Sequence, residues 1–349
     1  MSRAIRLLAL FAATCALATI TGPAAASAQE SPSEYCDPSA SFLDPPDVPA
    51  AGSGSAATAE IRERTITVGE QETRLLESGP RKGRTAVVMV HGIPGSAADW
   101  SGLMPRLANR RTRAVAFDMP GFGHAADAWG IGRTADVGAE FLNQTLAQLG
   151  IRRVHLVAHD IGGPVSLEWA KSRPRRLRSA TLINTGLLLG YQDHMIAQIS
   201  RPAGSGEAFW LGLRRDVFVA GIQNGQTRPV PTETLNGWYD DLDRETRCTN
   251  LETYRSGSAE EVDARARSQA AALARRPNRP ALVIWGAEDP FLPVEMAARQ
   301  REGFPRAQVE IFEQSGHWPF IDDPERTEEL VAPFVGRAIE RDRKRGRGR

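Results

Sequence analysis

VHLVAHDIGGP (154–164) joins a buried strand to a helix through a single aspartate. Its first residues form a short, mainly apolar run of the kind that lies inside a parallel sheet, and GPVSLEWAKSRP (163–174) then takes up a helical period. Asp160 stands between them, with Ala158 two residues before it and Gly162 two after. A strand that turns directly into a helix leaves little room beside the turn, so small residues at those flanks push the central side chain above the sheet. The helix start also gathers backbone N–H groups whose partial charge favours an anion. Asp is equally a favoured helix cap, so this stretch alone leaves Asp160 open between capping and reaction.

The same alternation recurs outward from it. RTITVGE (64–70) and ETRLLESG (72–79) read as a hairpin, and AVVMV (86–90), AVAFD (114–118), SATLIN (179–184), ALVIWG (281–286) and AQVEIF (307–312) as further strands. TADVGAEFLNQTLAQLG (134–150) reads as a helix that stops at Gly150. Strands separated by helices of this length predict an α/β protein with a mostly parallel sheet covered on both faces, formed from 61–184 and 279–341. Between 185 and 278 the alternation gives way to helical pattern, which predicts an inserted helical cap. A last helix from Pro324 leads into the basic tail 342–349, read as a solvated, frayed end, with weak contact to an anionic surface as the alternative.

The N-terminus follows another logic. Arg3 and Arg6 precede an apolar run from Leu7 to Ile20, and Ala26-Ser27-Ala28 closes the segment, so 1–28 reads as a signal peptide and the protein as secreted. Residues 29–60, rich in Pro, Ser, Ala and Gly, read as an extended arm. Loss of 1–28 removes Cys15 and leaves Cys36 and Cys248, either a disulfide or two unrelated thiols. No other segment is long and apolar enough to cross a bilayer. The 349 residues, 41% hydrophobic, suffice for a large core, and a net charge of +1 gives no electrostatic case for nucleic acid. Zinc-type Cys/His spacing is absent, so no metal and no cofactor are expected; the partner is a small-molecule substrate.

Two more strand ends carry chemistry. VMVHGIPGS (88–96) ends in a turn whose Ile93 amide, with that of Ile161, forms a candidate oxyanion hole. IWGAEDPFLP (284–293) puts Asp289 in a loop after a strand, and EQSGHWPFIDDPE (313–325) puts His317 in the loop after the next. The order is carboxylate, acid, histidine. Among the other histidines, His91 reads as a turn brace, His155 as structural, His124 as a loop residue, and His159 as facing the site without reacting. Asp118 reads as fixing its Pro-Gly turn.

Taken together, HGIP (91–94), DMPGFG (118–123), HDIGG (159–163) and GHWPFIDDP (316–324) resemble the α/β-hydrolases with an Asp nucleophile, the branch holding epoxide hydrolases and haloalkane or haloacetate dehalogenases. The resemblance spans about 61–341. It implies Asp160 as nucleophile, His317 as base and Asp289 as the acid that orients it, with neighbouring Glu288 as a rival for that place. Asn184 stands where some relatives carry the acid and cannot serve as one. An ionised carboxylate attacks a saturated carbon and leaves an alkyl ester, which water activated by the histidine then hydrolyses.

The leaving group separates the readings. By resemblance, an epoxide hydrolase uses a cap Tyr, often followed by Arg, beside a second Tyr or a His; Tyr254-Arg255 fits, and the second donor is open among His194, Tyr191 and Tyr239. Haloalkane dehalogenases carry Trp after the nucleophile and a polar residue in the His-Gly-x-Pro turn, where this chain has Ile161 and Ile93; a dehalogenase here would need cap donors such as Trp210 or Trp238. Haloacetate dehalogenases place Arg at the position of Ile161. A non-catalytic ligand-binding protein is the reading from another class, and it leaves the nucleophile, acid and base unexplained. The expectation is therefore an epoxide hydrolase.

Overall fold

In the computed structural model, which describes Cys36, 60–125 and 134–347, each apolar run becomes a strand. These are β1 (Arg62–Val68), β2 (Gln71–Ser78), β3 (Thr85–Val90), β4 (Arg113–Phe117), β5 (Arg153–His159), β6 (Leu177–Ile183), β7 (Ala281–Gly286) and β8 (Gln308–Phe312). They form one sheet in the order β1-β2-β4-β3-β5-β6-β7-β8, antiparallel from β1 through β2 to β4 and parallel beyond. Residues 1–28 and, Cys36 and Glu60 aside, the arm lie outside the described residues.

The run in β3 is unbroken because the strand is central and buried on both faces. Val88 and Val90 join an apolar cluster with Phe141, Leu146 and Trp169 on one side, whereas Val87 and Met89 join Trp100, Met104 and Phe334 on the other. Full burial of each such side chain is worth roughly 1.5–3 kcal/mol, so the two clusters hold the layers against the sheet.

The helices, in chain order, are α1 (Met104–Leu107), α2 (Ala135–Gln148) and α3 (Gly162–Ser172); α4 (Met195–Ser200), α5 (Ser205–Leu211), α6 (Arg215–Gly225), α7 (Thr232–Asp240), α8 (Arg244–Arg255) and α9 (Ala259–Ala274), all between β6 and β7; then α10 (Glu295–Arg299), α11 (Pro319–Asp322) and α12 (Pro324–Arg347). Thr134 caps α2 through Val137 N–H at 3.3 Å, and Gly150, at φ 67°, ends it. The terminal segment departs from the sequence reading: α12 continues to Arg347, because Val331, Val335, Ala338 and Ile339 anchor its inner face.

α4–α9 cover the ends of the strands. Phe209, Trp210, Leu213, Trp238 and Leu251 belong to the same apolar cluster as the core, so this layer packs as part of the fold. Trp238 Nε1 donates to Asp99 Oδ1 at 2.8 Å, and Gln269 Nε2 to the Pro164 carbonyl at 3.1 Å. Cys36 and Cys248 form a disulfide with Cα atoms 5.9 Å apart, tying the arm to α8. Closure of a loop with a separation of 212 residues stabilises by about 5 kcal/mol in the chain-entropy limit. Thiol titration of the denatured, unreduced protein after removal of 1–28 should find no free thiol; two per chain would rule the bond out.

Candidate active site

β3, β5, β7 and β8 are parallel, so their C-terminal ends converge on one edge of the sheet. The connections diverge there, since β4 lies on one side of β3 and β5 on the other. Such a switch point opens a crevice above the strand ends.

Asp160 follows β5 with φ 47°, a left-handed conformation unusual for a residue with a side chain. Its surroundings explain the small neighbours. A Cβ on Gly162 would lie 2.6 Å from the carbonyl oxygens of Val90 and His91, and one on Gly92 would lie 2.3 Å from the Asp160 Cβ. With that space clear, the Ile93 amide donates to Asp160 Oδ1 at 2.8 Å. The Ile161 amide makes no such bond; Ile161 is the N-cap of α3, one residue after the aspartate.

The other carboxylate oxygen, Oδ2, lies 3.4 Å from His317 Nε2. On the far side of that ring Nδ1 donates to Asp289 Oδ2 at 2.8 Å, which fixes the orientation of the ring. The His317 side chain is 1% exposed and that of Asp289 0%, but Asp160 keeps 19%. The aspartate of the elbow is thus the member of the group open to a ligand. Burial would lower the His317 pKa, but Asp289 and Asp160 outweigh it and push it up to about 10. Burial would likewise raise the Asp160 carboxyl; His317, His159 and the Ile93 amide hold it well below the usual carboxylate range.

Asp289 is held from every side. Its Oδ1 accepts from the Phe291 and Leu292 amides at 2.8 and 3.0 Å, and its Oδ2 also accepts from Asn184 Nδ2 at 2.6 Å. Asn184, at φ 44°, accepts in turn from the Gly286 amide at 3.0 Å. The residue set aside in sequence for lacking a carboxylate is therefore the one that braces the acid. Its signal was its place at the end of β6, beside β7; what it touches depends on the pairing of those strands. Glu288 is exposed and makes no bond to His317.

The remaining polar residues support the group. His91 is fully buried, its Nε2 accepting from the Met119 amide at 2.9 Å and its Nδ1 donating to the Gly92 carbonyl at 3.0 Å. Asp118 accepts from the Ala97 and His124 amides at 2.7 and 2.9 Å, joining two loops. His159 Nε2 donates to the His317 carbonyl at 2.9 Å, and burial pulls its pKa down to about 3, so it is neutral. His155 bonds Ser179 Oγ at 2.8 Å within the sheet, away from the site.

Above Asp160 lie a cavity of about 490 Å³, lined also by Ile161, Tyr191, His194 and Tyr254, and an inner one of about 70 Å³, lined by Ile93, His194, Tyr254, Phe291 and His317. His194 and Tyr254 border both, their rings 5.6 Å apart. Burial pulls His194 down to about 4 and raises Tyr254 well above 10, so both are neutral. Among the described residues neither the Tyr254 hydroxyl nor His194 Nδ1 has a hydrogen-bond partner. Arg255 clamps the end of α8 by pairing with Glu207 at 2.6 Å and donating to the Ser200 carbonyl at 3.0 Å. Tyr239 is a correction: its hydroxyl donates to the Leu213 carbonyl at 3.0 Å and it lines neither cavity, because α7 turns that face into the cap's interior. No cluster among the described residues has the ligands to hold a metal.

Asn184→Gly removes the brace of Asp289 yet tolerates the left-handed backbone. Turnover should fall about tenfold or more, the equivalent of about 1.4 kcal/mol on the barrier, with an unchanged circular dichroism spectrum. Unaltered turnover would show that Asp289 needs no such support.

A family model described as the alpha/beta hydrolase fold matches residues 85–324. A 2-hydroxy-6-oxononadienedioate/2-hydroxy-6-oxononatrienedioate hydrolase of Paraburkholderia phymatum is 26% identical over 279 residues, 78% of this chain and 94% of that protein. Among solved structures, the haloalkane dehalogenase DbeA of Bradyrhizobium elkani superposes with a TM-score of 0.70 at 23% identity, over 80% of this chain and 99% of that one. The haloalkane dehalogenase DatA of Agrobacterium tumefaciens does so with 0.68 at 19%, over 80% and 97%. At such identities the solved structures speak for the fold alone, and with the matched family model they lead to one conclusion: this chain belongs to the α/β-hydrolase family.

Proposed function

We propose that the protein is an exported epoxide hydrolase, opening small epoxides to diols through an ester on Asp160. The observation that carries this reading is the pair of neutral donors, Tyr254 and His194, free of protein partners and bordering both cavities with Asp160. An epoxide oxygen leaves as an alkoxide still attached to the substrate, and it needs such donors facing the nucleophile. Export is supported by the pattern of residues 1–28 and by the Cys36–Cys248 bond, which suits an oxidising compartment.

Asp160 Oδ2 attacks an epoxide carbon, the C–O bond breaks, and the Tyr254 proton passes to the alkoxide while His194 N–H steadies it. Asp160 is now an ester and uncharged. His317 thereby loses one of the two carboxylates that raise its pKa, and its resting proton passes through solvent to the Tyr254 phenolate, which leaves the imidazole neutral and able to act as a base. Water then attacks the ester carbonyl and gives His317 a proton; the Ile93 amide, already at Oδ1, holds the oxyanion, joined by Ile161. Collapse breaks the ester C–O bond, the hydroxyl proton of the intermediate passes to the departing alkoxide to release the diol, and His317 keeps the proton it took from water, which restores the resting charges.

The fold is shared with haloalkane dehalogenases, which makes halide release the rival reading. The cap indoles that would serve it are spent: Trp210 Nε1 donates to Ser200 Oγ at 2.9 Å and Trp238 Nε1 to Asp99. A halide leaving against the side chains of Ile93 and Ile161 would lose hydration at apolar surface, at a cost of several kcal/mol where no donor replaces the water. Acyl and carbon–carbon hydrolysis, the latter suggested by the Paraburkholderia relative's name, suit a carboxylate poorly, since its attack on an acyl carbon yields an anhydride.

Assay of diol and halide across epoxide and haloalkane panels should find diol, with Tyr254→Phe lowering turnover at least a hundredfold and His194→Ala about tenfold. Vigorous halide release with no epoxide consumed would overturn the reading. His317→Gln should trap the substrate on Asp160, seen by intact mass, and a single turnover in oxygen-18 water should label Asp160 before product.

The pH dependence has a defined sign. Alkylation needs only ionised Asp160 and should stay flat down to acid pH. Ester hydrolysis needs neutral His317, so its rate should rise with pH through a pKa below that of the same histidine in the free enzyme. Rapid-quench kinetics of both steps and NMR titration of His317 check this; equal values would mean that the ester leaves the histidine unaffected.

A further inference from the structure

At the end of the sheet remote from Asp160, where β6 and β7 begin, a cavity of about 310 Å³ is lined by Arg178, Arg275, Arg276, Arg279, Arg341 and Arg345. Beside Leu177 and Arg178 at the start of β6, two further segments build it. The stretch ARRPNRP (274–280) leads from α9 into β7, and on α12 Ala338, Arg341, Asp342 and Arg345 recur at helical spacing along one face. Asp342 is the one acid in the wall, and it is engaged already, by Arg178 and by Arg153 at 3.7 Å. Arg275, Arg276, Arg341 and Arg345 have no ion-pair partner among the described residues.

Arg279 sets this apart from a solvated basic surface. It is 6% exposed, and its guanidinium plane is fixed by Nε donating to the Leu177 carbonyl at 3.2 Å and Nη2 to the Pro174 carbonyl at 2.8 Å. Its Nη1 is buried with no partner. A buried cation with an unused donor, surrounded by its own kind, is costly unless an anion approaches. Burial, Arg276 and Arg178 pull its pKa down to about 10, the direction that missing countercharge dictates.

We propose that this cavity binds a phosphate-bearing anion, at a site separate from the catalytic one. Arginine forks match phosphate oxygens two at a time, and several unpaired guanidinium groups call for more charge than one carboxylate supplies. The phosphate can belong to a soluble anion or to a lipid headgroup, and the basic end of α12 beside the cavity suits either.

Two probes separate these sources: inorganic pyrophosphate, followed by titration calorimetry, and phosphatidylcholine vesicles with and without phosphatidic acid, followed by co-sedimentation. Pyrophosphate should bind saturably at one site per chain. Arg275→Ser/Arg276→Ser, both exposed positions, should weaken it at least tenfold with circular dichroism and epoxide turnover unchanged; Arg110→Ser, exposed near the opposite edge of the sheet, should not. Binding to phosphatidate vesicles that pyrophosphate displaces identifies a headgroup as the source, and pyrophosphate binding without vesicle binding identifies a soluble anion. The proposal is overturned if pyrophosphate does not bind saturably, if vesicle binding is not displaced by pyrophosphate, or if Arg110→Ser weakens binding as much as the double variant.

Discussion

The site depends on how closely the ends of β3 and β5 approach. Gly92 touches the Asp160 side chain and Gly162 touches the Val90 and His91 carbonyls, at distances that exclude any Cβ. That approach sets Asp160 in a left-handed turn and brings the Ile93 amide to Oδ1, so one strand supplies the carboxylate and its neighbour a donor for it. Strain at such a position persists only where the surroundings over-determine it, and here two buried strands of the central sheet do so.

Charge balance follows from that placement. His317 sits between two carboxylates, one wholly buried and one open to the cavity, so the resting group is an anion–cation–anion row. Asn184 and the Phe291 and Leu292 amides fix Asp289, and Asp289 in turn orients the His317 ring.

The cap contributes what the core lacks. The core places the Ile93 amide on Asp160, while His194 and Tyr254, which line the same cavities, come from the segment between β6 and β7. Arg255 holds the end of α8 against α5 through Glu207, and Phe291 packs on both His194 and His317 at ring distances of 5.3 and 5.0 Å. Cap and the His317 loop therefore meet on the same Phe291 ring.

Much of this was legible in the chain. A buried strand shows as an unbroken apolar run and a tight turn shows through its small flanks, so the sheet, the elbow at Asp160 and the loops of Asp289 and His317 could be read from local pattern. The cap withheld its detail, because helices share one period whichever face they bury: Tyr191, His194 and Tyr239 looked alike in sequence, and only packing turned Tyr239 inward to Leu213. The same holds for Asn184, whose partner is 105 residues away, and for the arginine cavity, which joins Arg178, Arg279 and Arg341 from three separate segments. Covalent neighbours and periodicity write the elements into the sequence; which donors stay free is decided by contacts between residues distant along the chain, and these exist only once the sheet has paired and the cap has closed over it.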